Sequence, residues 1–136
     1  MVQEDYVTFD TAFWLKDKGF DGCCNSYYER FESAVTMYKG MEVEWSEGFV
    51  NHNRYQERYS RPTHQMAGEW LREKHNVHIC VFPYTDEDRK KTFWTYRIMD
   101  MNGAVIFDNN ELYPVEYSLH RIAYDAAIKH CLENYV

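Results

Sequence analysis

The stretch HNVHIC, His75 to Cys80, places two imidazoles and a thiol close together, and each is a good transition-metal ligand. If the chain from Val77 onward runs as a strand, His78 and Cys80 project from one face about 7 Å apart. His75 then stands at the end of the preceding helix. Together the three would supply the ligands of a metal-dependent hydrolase, yet a structural zinc needs four ligands and a catalytic one needs three plus water. Asp108, the nearest further candidate, is matched with Arg97 in the hairpin register below. His64 lies eleven residues before His75, roughly 16 Å away along a helix axis, so those two cannot share one ion. A histidine beside the C-terminal carbonyls of a helix already has a structural reason to be there. No metal is therefore expected, with His75, His78 and Cys80 as the weak candidates for one.

Other chemistry is thinner. The chain contains no GxSxG, HExxH, GxGxxG or Walker A pattern, and its carboxylates are dispersed. Asp86, Glu87 and Asp88 lack the spaced glycine and late glutamate of a calcium loop. His120 and His130 fall on the inner side of a C-terminal helix, where a hydrogen-bonded imidazole is a simpler reading than a general base. No catalytic residue and no cofactor are expected. Net charge is −7, from 22 acidic and 15 basic residues. The one basic cluster, Arg89, Lys90 and Lys91, directly follows three acids. Nucleic acid is thus an unfavoured partner, and weak binding through those three residues is kept as an alternative. Aromatics make up 18% of the chain, with 12 Tyr and 4 Trp, and they crowd the first half. Tyr27, Tyr28, Tyr38 and Trp45 are the candidate binding residues, because Tyr and Trp anchor protein interfaces.

The elements that must hold these residues differ in legibility. TFDTAFWLKDKGF predicts a first helix with Thr8 as N-cap, a stripe of Phe9, Ala12, Phe13 and Lys16, and Gly19 as a left-handed stop. Between residues 21 and 61, Tyr27, Tyr28, Phe31, Val35 and Tyr38 fit a helix. The alternation of Met41, Val43 and Trp45 after a Lys39–Gly40 turn favours strands instead. SEGFVNHNRYQERYSRP reads as a polar connection. From Pro62 the pattern predicts a helix with Met66, Ala67, Trp70 and Leu71 inward and Asn76 as terminator. A strand VHICVFPY follows, and TDEDRKK links it to a second strand, TFWTYRIMDM. Asn102–Gly103 suits a type I′ turn, placing Met101 opposite Ala104, Ile98 opposite Phe107 and Arg97 opposite Asp108. Trp94, Tyr96, Ile98 and Phe107 then share the core face. A final helix spans about Val115 to Asn134, with Leu119, Ile122, Ala123, Ala126 and Ala127 inward and Arg121, Asp125, Lys129 and Glu133 outward.

The αβββα order is similar to that of double-stranded RNA-binding domains. Where that family grips phosphates with a lysine-rich run, this chain has YPVEYSLHRIAYDAA, so the binding chemistry does not transfer. TFDTAFWLKDKGF, EWLREKHNVHICV and AAIKHCLENYV look like stretches of small uncharacterised proteins encoded on phages and mobile elements of gut bacteria. They cover roughly a third of the chain, most specifically at WLREKHN, and the resemblance implies a genetic context and no catalytic residues.

These readings converge on one α+β domain of 136 residues. An N-terminal helix and an irregular aromatic-rich segment occupy 1–61, and an αβββα core occupies 62–136. The Pro62 and C-terminal helices take one face of the sheet. The other face, with Phe93, Met99, Met101, Ala104 and Ile106 beside His78, Cys80 and Phe82, is too apolar to stand bare, and the N-terminal segment, or otherwise a second copy of the chain, is expected to cover it. The N-terminus lacks a leader pattern and no apolar run approaches membrane-spanning length, so a cytoplasmic protein with reduced thiols and no membrane partner is expected. Its function is expected to be that of a non-catalytic accessory or interaction module, with a protein partner or self-association.

Overall fold

The computed structural model describes residues 5–32, 39–109 and 116–136. The fold is α+β and divides into two compact units, Met1–Met66 and Ala67–Val136, with the division inside the middle helix. The expectations at Val35, Tyr38 and Val115 lie outside the described residues.

In the first unit, helix α1 (Phe9–Asp17) starts where the Thr8 hydroxyl accepts from the Thr11 N–H. It ends with Gly19 at φ 87°, the Gly19 N–H donating to Lys16 O and the Phe20 N–H to Leu15 O. That pair of bonds is a Schellman ending, as the sequence predicts. The buried stripe of α1 is Thr11, Ala12 and Leu15, while Phe9 and Phe13 lean on Tyr59 at 5.2 and 6.1 Å between ring centres. The aromatic-rich segment holds three strands, β1 (Cys24–Glu32), β2 (Lys39–Val50) and β3 (Arg58–Ser60), in the order β2-β1-β3; the alternation of Met41, Val43 and Trp45 marks β2, while β1 and β3 lie where an irregular run is expected. Lys39 and Gly40 are no turn: they pair with Glu32 and Phe31 at the start of β2. β1 alternates Ser26, Tyr28 and Arg30 with Tyr27, Glu29 and Phe31, and adjacent Tyr27 and Tyr28 serve opposite faces. A single tyrosine-rich run thus supplies both, which hides the period.

Helix α2 (His64–His75) opens in the first unit, where the Thr63 hydroxyl accepts from the Met66 N–H, so the helix starts just after Pro62. In the second unit, Ala67, Trp70 and Leu71 are buried, and Asn76 at φ 57° ends the helix. Strands β4 (His78–Asp86), β5 (Lys91–Met99) and β6 (Val105–Asp108) form an antiparallel meander. Ile98 opposes Phe107 and Arg97 opposes Asp108. The turn itself differs from the two-residue reading. Asp100 N donates to Ala104 O, and only Gly103 has a positive φ, 81°. Met101 therefore does not oppose Ala104. The longer loop shifts the register by one, Met99 opposes Val105, and a bulge before Phe107 restores it.

Helix α3 (His120–Asn134) packs on β4 and β5. It starts later than about Val115, because Tyr117 and Trp94 exchange two backbone hydrogen bonds of 2.8 and 3.2 Å as an isolated bridge. Its buried residues are Ala123, Asp125, Ala127, Ile128, Cys131 and Leu132, whereas Leu119 and Ile122 are exposed. The stripe is rotated from the expected one. Its three alanines fit either neighbouring face, and the bulkier Ile128 and Leu132 decide which one turns inward. Tyr96 and Ile98 are fully in the core, with Trp94 and Phe107 at its rim.

Candidate functional site

The first sheet separates the aromatic residues by role. Tyr27 is buried, with the His52 ring tilted against it at 4.3 Å and the Arg58 guanidinium 4.5 Å from its centre. His52 is fully buried, with Nε2 3.0 Å from Cys24 O and 3.2 Å from the Ser46 hydroxyl. The bond to a carbonyl makes Nε2 the donor, so Nδ1 is an acceptor, and it meets no hydrogen-bond partner among the described residues. Burial pushes the His52 pKa down, against a weaker pull upward from the Cys24 carbonyl. Burial also pushes the Cys24 thiol up to about 12, so it stays protonated and is no nucleophile.

On the opposite face, Tyr28 donates its hydroxyl to Val7 O at 2.6 Å and rests edge-on against Phe9. The Arg61 guanidinium lies 4.3 Å from the centre of Tyr6 and 5.6 Å from the centres of both Tyr28 and Trp45. Tyr6 in turn meets Trp45 edge-on at 5.5 Å. Arg61 thus braces one side of Trp45 by cation–π attraction. The rest of that indole is bare. Trp45 is 58% exposed, and Val43 and Phe49 of the same strand are 44% and 64% exposed. Val43 and Trp45 alternate along β2, while Phe49 projects from an irregularity between the Ser26–Trp45 and Cys24–Val50 pairs. Of the candidate binding residues, Tyr27 is core, Tyr28 is a half-buried support, Trp45 is exposed, and Tyr38 lies outside the described residues.

Arg61 and Phe49 escaped sequence reading. Phe49 sits in a stretch that looks like polar connection. Arg61 shares a face with Tyr59 through the two-residue strand period, a signal legible only once RYS is known to be a strand.

Lys16 fastens α1 to the segment before β3. Its ammonium donates to Tyr55 O (2.7 Å), Gln56 O (3.1 Å) and Arg58 O (2.6 Å) and lies 4.6 Å from the Tyr59 ring centre. Burial lowers its pKa, with the Glu57 carboxylate acting the other way.

In the second unit, His75, His78 and Cys80 do not converge. The His75 ring packs against Trp70 at 4.7 Å, and His78 lines a shallow cavity of about 260 Å³ with Val77, Met99 and Met101. Among the described residues, no three His, Cys, Asp or Glu side chains are grouped so as to hold a metal ion. All four cysteines are unpaired. Of the basic cluster, Arg89 is already engaged by the carboxylates of Asp86, at 2.7 Å, and Glu116. Those bonds raise the Arg89 pKa and lower that of Asp86. Lys90 takes a left-handed turn position at φ 52°. His130 packs against Phe107 at 4.1 Å with the rings tilted by 31°, and burial lowers its pKa. Among the described residues, no helix is long and apolar enough to cross a membrane. The chain matches no protein-family model, no curated protein and no solved structure.

Proposed function

We propose that this chain is a non-catalytic accessory module that works by binding another protein, with β2 as its contact strand. The observation that carries the reading is the exposure of Val43, Trp45 and Phe49 along one strand. Large apolar side chains gathered this way gain by desolvation when a partner covers them, and tryptophan is a frequent interface anchor. A phage or mobile-element context is part of the proposal and rests on the sequence resemblance. Action in the cytoplasm is supported by the four unpaired cysteines.

The test immobilises the full chain and a triple variant, Val43→Ser, Trp45→Ser and Phe49→Ser, and compares what each retains from bacterial lysate, with sizing in parallel. The wild-type chain is expected to hold a defined partner that the variant releases. If the wild type runs as an inert monomer and retains nothing, the reading fails.

A further inference from the structure

The register of the first sheet fixes which backbone groups of β2 point away from it. On the β3 side of β1, the Arg61 N–H donates to Ser26 O and the Arg30 N–H to Glu57 O. The even-numbered residues of β1 therefore bond towards β3, and Tyr27, Glu29 and Phe31 bond towards β2. Their partners on β2 are Glu44, Glu42 and Gly40. Because N–H and C=O of one strand residue point to the same side, those of Met41, Val43 and Trp45 face the open edge. β2 is the outer strand, and among the described residues nothing pairs with that edge.

The side chains along this edge are sorted by face. Met41, Val43 and Trp45 lie on the Tyr28 face, and Glu42 and Glu44 lie on the Tyr27 face. Glu42 is opposite Glu29, whose other neighbour is Arg58. Like charges directly opposite are unfavourable, and among the described residues Glu29 has a cation on its far side while Glu42 has none. Among the described residues, neither Glu42 nor Glu44 makes a salt bridge. A second copy of β2 laid antiparallel with Val43 against Val43 would set Glu42 against Glu44. Self-pairing is thereby disfavoured, and a cationic strand is favoured.

We propose that the outer edge of β2 binds an extended peptide segment in which apolar residues alternate with lysine or arginine, added as a fourth strand. The proposal rests on β2 being the contact strand. The segment's apolar side chains lie beside Val43 and Trp45, and its cations beside Glu42 and Glu44. Main-chain bonds to Met41, Val43 and Trp45 hold it, and the alternation supplies selectivity.

The probe is a short fluorescein-labelled peptide of alternating valine and lysine, titrated into the full chain. The controls are a valine–glutamate peptide and a peptide of the same composition with its valines and lysines in blocks. Binding is expected for the alternating cationic peptide alone, weakening with salt. Glu42→Gln with Glu44→Gln is expected to cost about tenfold in affinity. Val43→Pro removes only an outward N–H, leaves the bonds to β1 in place, and is expected to abolish binding. Hydrogen exchange gives a readout that needs no variant: on adding the peptide, the Met41, Val43 and Trp45 amides become protected, whereas those of Glu42 and Glu44 are slow already. Equal binding of the glutamate or block peptide, no binding at all, or unchanged exchange at Met41, Val43 and Trp45 overturns the proposal. If the peptide fails while the triple serine variant still loses its partner, strand addition is wrong and the contact strand stands.

Discussion

The two three-stranded antiparallel sheets treat their edges differently. In the second, β4 carries Pro83, which has no N–H to offer a neighbour, and β6 is only four residues long, bulged, and approached at Ile106 O by the Tyr135 hydroxyl at 3.4 Å. These are ordinary ways of blunting an edge. In the first, β2 runs for twelve residues with no proline, and Val43 and Trp45 stand exposed along it. An edge left long and apolar on one side is an aggregation hazard unless something occupies it. This contrast supports the proposal that β2 is the contact strand.

The largest effect is expected in the cores. Leu15→Ala in the first unit and Ile98→Ala in the second each remove a fully buried side chain. Each should cost about 2–5 kcal/mol, seen as faster amide exchange in β1–β3 and in β4–β6 respectively. An effect below about 1 kcal/mol would mean that the site collapses around the loss.

Next is Lys16. Lys16→Met deletes three charge-assisted bonds, two to carbonyls of the loop before β3 and one to the first residue of β3, and should cost about 1–3 kcal/mol in urea unfolding. Lys16→Arg is expected to recover part of that loss. An undisturbed stability would show that the ammonium is not what fastens α1.

Gly68 should follow. A Cβ there would overlap the Tyr124 hydroxyl. Gly68→Ala is expected to destabilise despite the better helix propensity of alanine, worth about 1 kcal/mol. Adding Tyr124→Phe should recover part of the loss. If the double variant is no better than the single one, the close approach is not the cause.

The smallest effect is pH dependence. His52 in the first unit and His130 in the second both have pKa values pushed below the ordinary value by burial. The folded state prefers each neutral, so the unfolded chain binds more protons below about pH 6.5. Stability is then full above that pH and falls as the pH drops through it towards the folded values. His52→Gln and His130→Gln should each flatten that slope, measured as the change of urea midpoint between pH 7.5 and 5. An unchanged slope in either variant would assign the acid sensitivity elsewhere.

Local chemistry was readable wherever one residue type dictates one backbone state. The Thr8 cap, the left-handed Gly19 and Asn76, the αβββα order from α2 onward, and the Arg97–Asp108 and Ile98–Phe107 pairs all follow from such short-range rules. Asn102–Gly103 gave the hairpin its place but not its type, because the glycine alone takes the left-handed position and a bulge absorbs the difference. The stripe on α3 was misplaced by the ambiguity of alanine, which is content on either side of a helix. Which of the adjacent Tyr27 and Tyr28 enters the core and which lies beside Arg61 depends on long-range contacts. The same contacts pair β3 with β1 across an intervening strand, which leaves β2 at an edge of the sheet. The physical reason is that pairing order and burial come from contacts between residues far apart in the chain, and an aromatic side chain is equally suited to a core, a brace or a binding surface until its neighbours are fixed.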